Sequence, residues 1–315
     1  SIASGGNYNT VIGDEAGTAI TTGDYNTAVG YNAGSAITTA LYNTVVGAVA
    51  LDANTTGAAN VAMGVSSLGG NTTGDNNTAL GTDALAFNTT ADNNTAVGYS
   101  SLKANTTGAN NVALGANALQ PNTTGASNTA LGKGALASNT TASNNTAVGF
   151  ESLVSNTTGT ANVALGMGNL DANTTGNFNN SVGVGSLGAN TTGSSNTAMG
   201  HAALGGNTTA ANNTAVGYTA LLANTTGASN VALGHTALAS NTTASNNIAI
   251  GESSLNVNTT GASNVSVGRS ALQNNTTASN NTAVGYASLN ANTIGIDNVA
   301  IGSNALASNT TASNN

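Results

Sequence analysis

The sequence predicts an all-β protein, a parallel β-solenoid or β-roll of about 18 coils, packed side by side with other copies of itself. Three observations predict it. One short phrase, "NTAVG" at 26–30 and "NTVVG" at 43–47, returns every 17 residues without insertion or deletion along all 315 residues. Its second place holds Thr, Val or Ile in 17 of 18 copies, which favours a strand over a helix. Gly and Asn recur at fixed places between the phrases, where a chain turns.

Each coil is numbered here from the Asn that opens the phrase. Position 1 is then Asn in 19 of 19 cases, from Asn9 to Asn315. Position 5 is Gly in all 18 coils, and position 13 is Thr in all 18. Position 14 is Thr in 17, with Ile294 the exception, and position 9 is Leu in 16. Position 4 is always Val, Leu, Ile or Met; position 3 is Ala in 14 of 18. A period without drift marks one structural unit per repeat, each stacked on the last. A coil of 17 suits two or three short strands joined by tight corners. Parallel ladders at about 4.7–4.9 Å would make 18 coils roughly 85–90 Å long. Residues 1–315 form one repeat array. Coils in 1–50 are variant, with Ile20 and Ile37 in place of Asn, and those in 51–315 are regular.

Stacking in register places Asn on Asn and Thr on Thr. The Asn residues at positions 1 and 12 are therefore expected to form inward ladders that bond each other and the corner backbone. In the first two coils Gly17 and Gly34 replace Leu at position 9 while Ile20 and Ile37 replace Asn at position 12. A lost Leu with a gained Ile implies that both positions fill one shared volume. Where position 15 is Ala rather than Gly, position 17 is Asn in six of seven cases, from Asn93 to Asn314. That pattern implies one left-handed residue per corner, taken at either place. Along the strand, positions 2 and 4 share one face and position 3 takes the other. Position 4 is large and apolar, so its face is expected inward, over a core shared with position 9. The small Ala face is then expected to be covered by another chain.

The phrases "NTAVG", "NVALG" and "NIAIG" resemble the head repeats of trimeric autotransporter adhesins. With their "NTTG" corners they also resemble repeats of phage tail fibres and other bacterial surface fibres. The resemblance covers essentially the whole chain, although adhesin heads use shorter coils. It implies three parallel β-rolls side by side, in an extracellular, cell-surface rod that attaches to host or matrix surfaces. Expected partners are other copies of the chain, with a trimer favoured and end-to-end filaments possible, and a surface glycan or protein receptor. The array starts at position 10 of a coil and stops at position 1 without a polar cap, which points to continuation or end-to-end stacking.

Composition narrows the chemistry. Only 4% of residues are charged, and three are Lys or Arg against 11 Asp or Glu, for a net charge of −8. Nucleic-acid binding needs clustered basic side chains, so it is not expected. No apolar run reaches the roughly 18 residues of a membrane span. With no Cys there is no disulfide or thiolate metal site. No G-x-S-x-G, H-E-x-x-H or P-loop occurs, and His201 and His235 stand two coils apart. No cofactor, metal or catalytic residue is expected; the reading is a non-enzymatic structural fibre.

Two residue sets are candidates for contact or modification. Position 6, after the Gly corner, varies most and reads as an outward contact stripe: Tyr31, Tyr99, Lys133, Phe150, His201, Tyr218, His235, Arg269 and Tyr286. Aromatic and Arg side chains are common binding anchors; a solvated stripe is the plainer reading. Fifteen "NTT" sequons offer glycan acceptors at Asn54, Asn71, Asn88, Asn105, Asn122, Asn139, Asn156, Asn173, Asn190, Asn207, Asn224, Asn241, Asn258, Asn275 and Asn309. Where the chain meets no N-glycosylating system the sequons are incidental to a structural Asn-Thr-Thr corner, the plainer reading. The alternatives to an adhesin rod are a phage-type fibre that recognises a receptor and an ice-binding solenoid. In a strand, Thr at positions 13 and 14 would point to opposite faces, which leaves one Thr rank per face.

Overall fold

The computed structural model describes residues 6–315. The chain divides into two compact units, Ser1–Thr160 and Ala161–Asn315. The first holds nine three-residue strands, from β1 (Thr10–Ile12) to β9 (Thr146–Val148); the second holds nine more, from β10 (Val163–Leu165) to β18 (Val299–Ile301). Within each unit every strand pairs in parallel with the strand one repeat away. Thr27, Ala28 and Val29 lie opposite Thr44, Val45 and Val46. Thr214, Ala215 and Val216 lie opposite Val231, Ala232 and Leu233. This is a parallel β-solenoid with a 17-residue coil, as the period requires.

Each coil has one strand, not two or three. The rest of the coil is too tightly turned for a second. Ser67 N donates to Gly64 O (3.3 Å), Gly69 N to Ser66 O (3.3 Å) and Asn71 N to Leu68 O (3.0 Å), which makes three overlapping four-residue turns. The third residues of the first two turns, Ser66 and Leu68, have φ of 57° and 51°, as a type II turn demands. The backbone still pairs from coil to coil through the turns, as in Leu68 N to Ala84 O (3.0 Å) and Thr72 N to Thr89 O (2.8 Å). Position 5 admits only Gly: Gly64 has φ 138°, and a Cβ there would lie 2.6 Å from the Gly81 carbonyl.

The corner works differently from the expectation. Position 17 is left-handed whatever residue stands there, with φ of 56° at Ala59, 57° at Asn76 and 58° at Ser127. Position 15 needs no left-handed residue; its Gly is chosen for space. A Cβ on Gly57 would lie 2.5 Å from Gly74 O and 3.0 Å from Asn71 Nδ2. Ala at position 15 is never stacked on Ala: Ala91 is followed by Gly108, and Ala142 by Gly159.

The two faces of the strand are reversed from the sequence reading. Ala28, Ala62 and Ala79 at position 3 are completely buried, while Met63, Leu114 and Leu233 at position 4 are 42–46% exposed. The physical reason is the narrowness of the coil. Its interior holds Ala at position 3, Ala or Ser at position 8, Leu at position 9 and the two Asn residues. That space has no room for a second row of large side chains, so positions 2 and 4 face outward. The expected Leu–Ile exchange holds. In the first coils, where a Cβ on Gly34 would stand, the Ile37 Cδ1 is 2.7 Å away, and Ile20 Cδ1 is 3.0 Å from the equivalent point on Gly17.

Both Asn ladders form. At position 12, Asn71 Nδ2 donates to Asn54 Oδ1 (2.9 Å) and to Gly74 O (3.0 Å). At position 1, Asn77 Oδ1 accepts from Asn94 N (3.0 Å), and Asn77 Nδ2 donates to Ala91 O (2.8 Å). Ala91 O also receives Asn88 Nδ2 (3.0 Å). The two ladders therefore converge on one row of position-15 carbonyls. One buried amide departs from this order. Asn169, at position 8 of its coil, donates to Gly183 O (2.5 Å) and Leu165 O (3.2 Å), but its Oδ1 has no partner.

These features set the expected cost of core changes. Asn139→Ala orphans Asn122 Oδ1 and one Asn156 N–H, at about 1–3 kcal/mol for each buried group. Leu136→Ala opens a cavity at about 2–5 kcal/mol. Because arrays unfold segment by segment, hydrogen exchange across residues 122–156 is the proper measurement, and both variants should lose protection there. Asn169→Ala should instead leave protection equal or higher, since it removes an unpaired acceptor; Asn190→Ala, a ladder rung in the same unit, is the control.

Candidate functional site

The coil sorts its residues by outward direction. Positions 6, 14 and 17 carry the most exposed side chains, and the nine candidate stripe residues at position 6 are all exposed. Stacking one coil on the next turns this row into short ring ladders. In the second unit His201, Tyr218 and His235 stack with ring centroids 5.3 and 5.4 Å apart and planes within 14° and 10° of parallel. The two His rings therefore face a Tyr, not each other. Arg269 lies 4.9 Å from the Tyr286 ring centroid, and in the first unit Lys133 lies 5.9 Å from that of Phe150. Tyr31 and Tyr99 stand exposed without a stacked ring at position 6 in the neighbouring coils, where the residues are Asp14, Ala48, Thr82 and Ala116. The geometry fits cation–π contact.

Two further clusters escaped the sequence reading. Tyr8, Tyr25 and Tyr42 at position 17 stack with centroids 4.8 and 5.3 Å apart. The signal was present, since the same position is aromatic in three consecutive coils. Lys103 and Phe87, at positions 10 and 11, make a third cation–π pair at 5.9 Å, so all three basic residues of the chain lie over rings from adjacent coils. Several acids have backbone roles. Asp75 Oδ1 accepts from Ala58 N (2.7 Å) and Asp92 Oδ1 from Asp75 N (2.7 Å), a place taken elsewhere by Ser143 Oγ on Ala126 N (3.0 Å).

The sequon residues lie inside the coil. Of the fifteen acceptors, all but Asn309 are fully buried. Their Nδ2 groups are engaged: Asn122 Nδ2, for example, donates to Asn105 Oδ1 and to Gly125 O, both at 2.9 Å. A glycan on such a nitrogen has no exit from the folded coil. The Thr pair is not in a strand, so its two side chains do not take opposite sheet faces. The residue at position 13 is mostly half-buried, and its hydroxyl bonds the next coil, as in Thr72 Oγ1 to Thr89 O (3.0 Å). Its neighbour at position 14 is exposed. One free Thr rank results.

The outer face of the strands is a further surface in each unit. Positions 2 and 4 carry no charged residue in any of the eighteen strands. Nine strands at about 4.8 Å by three residues at about 3.3 Å give each unit roughly 400 Å² of such face in projection. Position 4 is apolar throughout this face, whereas position 2 is Thr in ten of the strands and Asn in one.

Among the described residues, no group of three or more His, Cys, Asp or Glu could hold a metal ion, and no helix is long and apolar enough to cross a membrane. Expression through an N-glycosylating secretory route should yield folded protein in which, of the fifteen NTT acceptors, Asn309 alone carries glycan. Glycopeptide mapping that finds glycan on Asn122 or its ladder mates in folded material would contradict the buried ladder. No protein-family model matches the chain, and a comparison with curated proteins finds no match.

Proposed function

We propose that this protein is a non-enzymatic structural element of an extracellular fibre, which assembles through the outer face of its strands and presents the position-6 row to a surface. The observation that carries this reading is the uncharged outer face of the strands, with an unbroken apolar row at position 4 beside mainly Thr and Val at position 2. Within it Leu114, Leu165, Met199 and Leu233 are each more than 40% exposed. A second copy of the chain is the natural cover, because an uncharged, repetitive face is complementary to itself. The sequence reading placed the chain–chain contact on the Ala face; Ala28 and its equivalents are interior, so the contact moves to positions 2 and 4. The resemblance to trimeric adhesin heads favours three copies.

The position-6 row supports attachment, by an adhesin or by a fibre that recognises a receptor. Its rings and cations are exposed, ordered against each other and free of any role in the core. With a single free Thr rank, the ice-binding alternative lacks the two ranks it needs.

Native mass spectrometry of the chain should show a discrete homo-oligomer. The pair Leu114→Lys and Leu131→Lys, on the outer face of the first unit, should shift it toward single chains without loss of the β-sheet circular dichroism signal. A single chain at micromolar concentration, or an oligomer indifferent to both lysines, would overturn this assembly mode.

A further inference from the structure

Positions 10 and 11 are both Gly in two coils, at Gly69–Gly70 in the first unit and Gly205–Gly206 in the second. Each pair strips two side chains from the same corner and leaves a dent. At Gly205 the dent is closed, because a Cβ there would lie 3.2 Å from Leu222 Cδ1. Leu222 is the position-10 residue of the next coil. At Gly69–Gly70 the equivalent residue is Ala86, which is too short to cover it. A groove of about 410 Å³ stays open, within the size range of small-molecule sites.

The open dent also differs in charge. Its rim holds Asp52, Asp83 and Lys103, where the closed dent has Gly188, Thr219 and Ala239 at the same coil positions. Lys103 Nζ is 2.9 Å from Asp83 Oδ2, so that carboxylate is neutralised. Asp52 forms no ion pair, and its Oδ1 lies 3.3 Å from where a Gly69 Cβ would stand. Burial pushes its carboxyl above the usual range, as expected of an acid taken partly out of water without a counter-charge. The chain has no cation to spare, since Lys133 and Arg269 lie over their own rings. Apolar wall is provided by Val49, Ala86 and Phe87.

We propose that this groove binds a primary alkylammonium group, free or at the end of a lysine side chain, with Asp52 as its counter-ion. A compact ammonium on an alkyl stem matches one unpaired carboxylate set beside apolar side chains. The Gly69–Gly70 backbone forms the floor, and the Lys103–Asp83 pair closes one side.

The test uses the full chain and two probes, n-butylammonium and Nα-acetyl-lysine methylamide, followed through the Gly69 and Gly70 amide signals by NMR titration. Saturable shifts are expected with both, and n-butanol should give none. Asp52→Asn should weaken binding at least tenfold. Ala86→Leu, which copies the Leu222 cover, should abolish it, and Leu222→Ala should open the second dent without creating a second site. Tighter binding of the lysine derivative would assign the site to a peptide partner; equal binding would assign it to a free amine. Absence of shifts, equal response to butanol, or binding unchanged in Asp52→Asn would overturn the proposal. Asp52→Asn keeps the test open even if Ala86→Leu folds poorly.

Discussion

The structure depends on the row of inward carbonyls at position 15. Most regular coils point one such oxygen into their interior with two buried amides on it: Asn71 and Asn60 on Gly74 O at 3.0 and 2.8 Å, Asn88 and Asn77 on Ala91 O at 3.0 and 2.8 Å. Both Asn residues belong to the same coil as the carbonyl, one from its first position and one from its twelfth. The row therefore closes the coil on itself, while the Oδ1 atoms of the same amides tie it to its neighbours, as Asn54 Oδ1 does with Asn71 Nδ2 and Asn77 Oδ1 with Asn94 N. Buried amides are costly unless satisfied, and here the satisfaction is periodic. A shift of one residue would break every rung at once, which explains the absence of any insertion or deletion in the array.

The strain in the backbone follows from this constraint. With the corner fixed, the remaining chain from Gly at position 5 to Asn at position 12 must turn repeatedly in a short path. Leu at position 9 is held left-handed, at 47–54° along the array, which costs on the order of 1–2 kcal/mol for an L-residue. Full burial of its side chain offsets that cost. The first coils show the alternative arrangement. Gly17 and Gly34 take the left-handed conformation freely, Ile20 and Ile37 fill the volume, and Gly23 O and Ala40 O are left with one Asn each. The protein thus contains two solutions to one packing problem, and the second is confined to coils where the position-12 ladder has not begun.

The period, the strand in the phrase, the Asn ladders and the Leu–Ile exchange were all legible in the sequence, because each leaves a residue type at a fixed place. The direction of the strand faces was not. Size is an index of burial in a globular core, and it failed here because the coil is too thin for Val29 or Leu80 beside Leu51 or Leu85. Position 15 misled for a related reason: Gly57 and Asn93 are both residues that tolerate positive φ, yet Gly57 is small to clear Gly74 O while Asn93 is the one that is left-handed. The Lys103–Phe87 contact was hidden as well. It joins position 10 of one coil to position 11 of another, a diagonal that inspection column by column does not reveal.

The resulting polarity is inverted relative to an ordinary domain. Asn lines the inside, and Val, Leu, Ile and Met line one outer face. Folding explains the constancy of every inward position, since each contributes to a ladder or to the thin core. It does not explain position 4, whose side chains lie outside that core and would be tolerated as polar residues by the coil itself. Position 6, also outward, varies freely among Asp, Ala, Lys, His and Tyr, whereas position 4 never departs from Val, Leu, Ile or Met. Two outward positions in the same coil, one unrestricted and one fixed, are what the proposed assembly through positions 2 and 4 predicts. In that assembly, a covering surface that meets positions 2 and 4 and leaves position 6 free would supply the constraint on position 4, with assembly and recognition on separate strips of the same repeat.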